Sequence, residues 1–217
     1  ALIISTDDVV INGGGYSIIG NGSGIGIDLS NRSGVSIYNL SIINFTEAVR
    51  FSSSSENTLT NIDISNVSLG INFTESQDNL IKDCNISQST TDVIASSSTY
   101  TNNTLLNLTS AESYNSLGNA SLKIKEYLFV NATYNNGLPL PNGNVNGTFN
   151  SSGLFDYSAL TLASGIAELQ LTERIISNLS TNYITPHNIT LSYSSSTGLL
   201  TNSTSINLTT DQGSTIN

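Results

Sequence analysis

The sequence predicts an all-β chain in two parts: a right-handed parallel β-helix over residues 1–118, then an antiparallel β-sandwich over 119–217. Three observations lead there. Four stretches of the first half superpose at an offset of about 22 residues, and nearly every apolar position lines up. The apolar residues alternate with polar ones two by two, the period of a strand. Nowhere in the chain does an apolar stripe of helical period persist. A repeat this short cannot bury its apolar face alone, so each copy must stack on the next as one rung of a solenoid.

The superposition is specific. Ile27 falls on Val49, Ile71 and Val93, and Leu29 on Phe51, Phe73 and Ala95. Leu40 falls on Ile62, Cys84 and Leu106, and Ile42 on Ile64, Ile86 and Leu108. In residues 48–67, Val49 and Phe51 point inward from a first short strand and four serines turn the chain. Leu59 sits in a second strand, Ile62 and Ile64 point inward from a third, and Asn66 opens the next corner. Asn57 aligns with Asn79, and Asn39 with Asn61 and Asp83. Both rows read as ladders of corner side chains, with Asn39 expected in the interior. Upstream, Val9, Ile11 and Ile18 fit a longer coil with Gly13-Gly14-Gly15 as a sharp corner. No Lys and no helix follow the triplet, so a phosphate loop is excluded.

The repeat weakens after Leu108, and Ser110 to Asn119 reads as a connector. From Ala120 the pattern changes. Leu122, Ile124, Tyr127 and Phe129 alternate along a strand running to Tyr134, and Asn135-Asn136-Gly137 supplies a turn. Val145–Phe149, Tyr157–Leu162, Ile166–Leu171, Ile189–Tyr193 and Ile206–Leu208 are further strands. Six or seven strands without a repeat suggest a sandwich of immunoglobulin type.

Composition narrows the function. Net charge is -10, yet only 10% of residues are charged, so Ser, Thr, Asn and Gly make the surface polar. Six Lys plus Arg leave no basic patch, which argues against nucleic acid and anionic lipid as partners. No run is long and apolar enough for membrane insertion within this chain. The single cysteine, Cys84, excludes an internal disulfide and reads as a small core residue. The chain opens at Ala1 in strand-like sequence, as it would after removal of a leader or as an excised fragment. There are 17 Asn-X-Ser/Thr sequons, more than composition alone would give, which favours an N-glycosylated extracellular protein. Candidates for glycans are Asn21, Asn31, Asn66, Asn72, Asn102, Asn119, Asn131, Asn146, Asn178, Asn188 and Asn207. Some sequons are expected to be buried in the solenoid.

The chemistry of catalysis is thin. Hydrolysis of a polysaccharide needs two facing carboxylates, and only Asp7 with Asp8, or Asp63 with Asp78 or Asp83, are worth testing. Asp28 and Arg50 read as a surface pair one coil apart, and His187 has no partner in the sequence. No catalytic residue, cofactor or metal ligand is assigned, and no Asp-X-Asp-X-Asp loop points to calcium.

Gly34-Val35-Ser36-Ile37-Tyr38-Asn39-Leu40-Ser41-Ile42 and its echo Asn57-Thr58-Leu59-Thr60-Asn61-Ile62-Asp63-Ile64-Ser65 resemble the NosD-like parallel β-helix repeat. The resemblance covers about residues 1–110 and implies an archaeal type of surface protein. Its name-giving members are linked to copper delivery. Copper needs His, Met or thiolate, and one His, one buried Cys and no Met do not supply a site. Val130-Asn131-Ala132-Thr133-Tyr134-Asn135-Asn136-Gly137-Leu138-Pro139-Leu140-Pro141, with Gly165-Ile166-Ala167-Glu168-Leu169-Gln170-Leu171, is similar to immunoglobulin-like modules of adhesins and surface layers.

The expected function is therefore a non-enzymatic, glycosylated subunit of a cell-surface layer, sheath or filament. Its partners are copies of itself and N-linked glycans. Ala1, Leu2, Ile3 and Ile4, an apolar rung with no cap before it, are the expected head-to-tail contact. The alternatives are a monomeric adhesin or carbohydrate-binding module, and a polysaccharide lyase or hydrolase of β-helix type.

Overall fold

The computed structural model describes residues 2–149, 155–178, 180–195, 198–208 and 215–216. All its regular elements are strands. Two compact units divide the chain: Ala1–Ile124 with Ile175–Asn182, and Lys125–Arg174 with Tyr183–Asn217.

The first unit is a parallel β-helix. Its strands are β1 (Leu2–Ile3), β2 (Val10–Ile19), β3 (Ile25–Asp28), β4 (Ser36–Ile43), β5 (Glu47–Ser52), β6 (Thr58–Thr74), β7 (Leu80–Lys82), β8 (Asn85–Leu106) and the start of β9 (Tyr114–Asn131). Successive coils pair in parallel, β3 on β5, β5 on β6 and β6 on β8. Ile27 faces Val49, which faces Ile71, which faces Val93, and all four are fully buried. Phe51 stacks on Phe73 with ring centroids 4.8 Å apart. Like residues meet because coils repeat at the strand spacing, so one apolar position in the repeat becomes a continuous core column.

The corners repeat as strictly as the core. Asn31, Ser53 and Glu75 share a left-handed backbone, as do Glu56 and Asp78, then Asn39, Asn61, Asp83 and Asn107, then Asn44, Asn66 and Gln88. Asn and Asp adopt that conformation most easily among residues with a side chain, which is why corners are written in them. The glycine triplet makes such a corner in the first coil, with φ of 61° at Gly14 and 78° at Gly15. A Cβ on Gly13 would lie 2.5 Å from the Asn39 carbonyl oxygen, so that position also admits no side chain.

The 22-residue offset fails at both ends of the stack. In the first coil Ile11 faces Ile37 and Ile18 faces Ile42, with the register slipping between Asn12 and Tyr16. In the last, Leu80 faces Thr104 and Lys82 faces Leu106, two residues beyond the repeat. The alignment of Cys84 with Leu106 is thereby corrected. Ser96 still keeps the offset to Thr74, while Asn103 meets Asn79, so the two extra residues lie between them, around the exposed Tyr100. Alternation survives a two-residue insertion, so the apolar pattern alone does not reveal it.

Two ladders exchange roles. Asn57, Asn79 and Asn103 form the interior one: Asn57 Nδ2 donates to Asn79 Oδ1 and Asn79 Nδ2 to Asn103 Oδ1, each at 2.9 Å, with all three residues at most 1% exposed. The row of Asn39, Asn61 and Asp83, expected inside at Asn39, runs along the outer corner, where Asn61 donates to Asn39 at 2.8 Å and Asn107 to Asp83 at 2.8 Å.

Among the described residues the second unit has seven strands: the end of β9, β10 (Asn144–Phe149), β11 (Phe155–Leu160), β12 (Ile166–Ser177), β14 (His187–Ser195), β15 (Gly198–Ile206) and β16 (Thr215–Ile216). The short β13 (Ser180–Tyr183) precedes β14. One sheet is antiparallel in the order β11-β10-β14-β15, and β9 lies between β12 and β16. Leu128, Val130, Val145, Leu169, Leu171, Ile189 and Ile206 close one core from both sets of strands. Counted along the chain, the sheets read 3-2-5-6 and 4-1-7. A constant-type immunoglobulin domain reads 1-2-5-4 and 3-6-7, so its strand order is not the one observed.

Three details of the second half also differ from expectation, the first being that the expected strand Ile206–Leu208 meets β15 at Ile206 alone. β9 begins at Tyr114, inside the expected connector. Its buried residues are Ala120, Leu122 and Ile124 and then, past the half-buried Glu126, Leu128 and Val130, leaving Phe129 exposed and Tyr127 half-buried. The aromatic residues suggested the wrong face.

Candidate functional site

The first coil carries the largest concentration of exposed apolar groups in the β-helix. β1 and β2 pair on one side only among the described residues, with β3 and β4. Along them Ile3, Val10, Tyr16 and Ile19 are each at least 68% exposed. The four expected contact residues separate. Ile3 faces solvent, Leu2 is half-buried, Ile4 is buried in the core, and Ala1 lies outside the described residues. Alternation puts neighbours on opposite faces. Val10, Tyr16 and Ile19 were not expected, because β2 was read only for its inward positions.

The sequons occupy the surface. Asn21, Asn31, Asn66, Asn119 and Asn178 are exposed, and Asn72, Asn102, Asn131, Asn146, Asn188 and Asn207 are half-buried. No described sequon is buried, against the expectation that some would be. The geometry explains this. Two residues after the interior Asn57, Asn79 and Asn103 come Leu59, Ile81 and Leu105, because that position points into the core. An inward phase that requires Leu or Ile cannot hold the Ser or Thr of a sequon. At Asn21 the Ser23 hydroxyl donates to Asn21 Oδ1 at 2.7 Å, and at Asn72 the Thr74 hydroxyl does so at 3.2 Å.

Of the acids considered for catalysis, Asp7 is held by neighbours, while Asp8, Asp63 and Asp78 are exposed. Asp7 accepts from Arg32 Nη1 at 3.3 Å and from the Ser33 amide at 3.0 Å. Asp63 is exposed and faces Asn85 on the outward phase, as expected. Asp28 does face Arg50 one coil apart, but the direct ion pair of Arg50 is with the buried Glu47, Nη2 to Oε2 at 2.5 Å. Its hydrogen bonds to Glu47 raise its pKa despite partial burial, with a smaller contribution from the Asp28 charge. Asp28 instead accepts from the Ser30 amide at 3.0 Å. Cys84 is buried, and desolvation pushes its thiol up to about 11.

His187 has the partner that its sequence neighbourhood did not reveal. Its ring is fully buried, with Nε2 3.1 Å from Asp156 Oδ2. Asp156 also accepts from the Thr172 amide at 2.6 Å and hydroxyl at 3.0 Å. Burial raises the Asp156 pKa, but the hydrogen bonds from His187 and Thr172 and the nearby Lys125 charge outweigh it, and the net shift is downward. The three residues come from three different strands, so no motif signals them.

Residues 3–150 match the family model described as periplasmic copper-binding protein (NosD). The chain belongs to the NosD family. That family is compatible with a location outside the cytoplasm. No curated protein and no solved structure matches the chain. The NosD description invites a test of the donors. Copper takes imidazole, thioether or thiolate. Here the imidazole is enclosed against Asp156, the thiol is buried and held protonated, and the chain has no Met. Among the described residues no three His, Cys, Asp or Glu converge on one point. These residues do not fit a copper site.

Proposed function

We propose that the chain is a non-enzymatic structural subunit of an extracellular layer, sheath or filament, glycosylated on outward sequons and joined head to tail through its first coil. The carrying observation is the first coil's one-sided pairing, with Ile3, Val10, Tyr16 and Ile19 turned to solvent along it. Strand edges of this kind are templates for another chain. Docking such an edge on a different surface is a heterologous contact, which propagates unless it closes into a ring. The second unit serves in this reading as a surface module of the kind found in adhesins. Surface sequons support glycosylation, since the transfer needs a reachable Asn.

Negative-stain imaging of native material, with mass spectrometry of its peptides, tests both halves. Ordered polymer with glycan on Asn31, Asn72 or Asn146 is expected. A monodisperse chain moves the adhesin reading ahead, and unmodified Asn at every sequon removes the glycoprotein part in a source that glycosylates.

A further inference from the structure

We infer that the edge of β15 left without a partner strand among the described residues pairs antiparallel with β15 of a second copy of the chain. This interface lies in the second unit and does not depend on the first coil. β15 ends the order β11-β10-β14-β15, and residues 199–205 are exposed. Natural edges are protected by charge, proline or a bulge. Gly198–Ile206 contains no charged residue and no proline, and its register with β14 is continuous from Ser195–Gly198 to His187–Ile206.

The occupant follows from charge and register. Two copies with net charge -10 repel wherever acids meet. Of the ionisable residues in β10, β11, β14 and β15, His187 is fully buried beside Asp156, and the remainder are tyrosines. This edge is therefore neutral ground. The Asn188 carbonyl turns to β10, where the Thr148 hydroxyl donates to it at 3.4 Å, so Asn188 and Ser205 are a non-hydrogen-bonded pair. Ser205 and, by alternation, Ser203, Thr201 and Leu199 therefore direct their backbone groups outward, and the Ser203 amide donates to Asn202 Oδ1 at 2.9 Å. A two-fold axis at Asn202 sets Thr201 against Ser203 and Leu199 against Ser205 as hydrogen-bonded pairs. It also sets Leu200 of each copy beside Thr204 of the other.

That register has a receptor. A groove of about 260 Å³ runs along the inner face of β15, lined by Val130, Ala132, Ile189, Leu191, Asn202 and Thr204 among others. Leu200, 60% exposed, projects to the same face as Thr204 and would enter the partner's groove beside it. The contact is isologous, so it closes as a dimer. Main-chain bonds along the edge with alternate side chains in a groove is the usual arrangement of strand addition.

Asn202-Ser203-Thr204 is a sequon outside the glycan candidates, and the interface requires it unmodified. The test therefore uses the chain made in a host without N-glycosylation, and glycan on Asn202 in native peptides would also overturn the proposal. Sedimentation equilibrium should show a concentration-dependent dimer. Thr201→Lys and Ser203→Pro should each weaken it about tenfold or more, with the unfolding midpoint of Thr201→Lys unchanged. Asn202→Cys should cross-link to a dimer on mild oxidation, Cys84 being buried. Ile3→Lys, on the first coil, should leave this dimer intact. A chain that stays monomeric at all accessible concentrations, a dimer indifferent to both edge substitutions, or an Asn202→Cys dimer that does not cross-link would each overturn the proposal.

Discussion

Asp156 holds together strands that the sequence keeps far apart, accepting hydrogen bonds from Thr172 on β12 and lying against His187 on β14. Its pKa is lowered in the folded chain. A depressed carboxylate contributes stability that is present above its unfolded pKa, about 3.9, and is lost as pH falls through the folded value. Urea unfolding followed from neutral pH downward should therefore show stability falling as pH drops below about 4. Asp156→Ala should flatten part of that fall. It should also cost about 2–5 kcal/mol near neutral pH, since the Thr172 amide and the His187 ring lose their acceptor in a buried place. An equal pH slope in both proteins would remove Asp156 from the account. A second test at this scale concerns the core column. Phe73 is 1% exposed and stacked on Phe51, so Phe73→Ala should cost about 3–5 kcal/mol by the same measurement. The Phe column was legible because one repeat predicts it. The Asp156 cluster was not, because its spacing belongs to tertiary pairing alone.

At the scale of the element, two asparagine rows that look alike in sequence do different work. Asn79 donates to Ser54 O and Asn103 Oδ1 and accepts from the backbone and side chain of Asn57, all in the interior. Asn79→Ala would leave several of those groups unpaired, at about 1–3 kcal/mol for each one not rescued by water. Asn61 makes a like side-chain bond to Asn39, at 2.8 Å, but in contact with solvent that can replace it. Asn61→Ala should change stability by under about 1 kcal/mol. Parallel thermal melts of the two variants decide it, and equal losses would refute the interior and exterior assignment. The repeat made both ladders visible. It did not say which faced inward, because inward and outward corners share the left-handed backbone and the Asn that suits it. The buried row could have been found from the Leu or Ile two residues later, a neighbour that only an inward phase demands. The apolar columns of the central coils, by contrast, were readable outright, and so were β10, β11, β12 and β14, whereas the expected strand Ile206–Leu208 meets β15 at Ile206 alone. The order in which those strands pair was not, since it depends on which apolar faces meet and not on any local pattern.

At the scale of the whole molecule the decisive question is what meets the first coil. The sequence points to Ala1 to Ile4 as one contact block, but Ile4 is 7% exposed and belongs to the core, while Ile3 is 72% exposed. Lys at Ile4 would unfold the coil and say nothing about assembly. Ile3→Lys, Val10→Lys and Tyr16→Lys place charge on the solvent side of β1 and β2, where each should alter stability by no more than about 0.5 kcal/mol. A charge on an edge strand is what natural sheets use to prevent pairing. If a second copy docks here, the triple substitution should abolish polymer seen by negative stain while the far-ultraviolet dichroism and melting midpoint stay at the parent values. Polymer that persists in the triple variant takes the first coil out of the assembly.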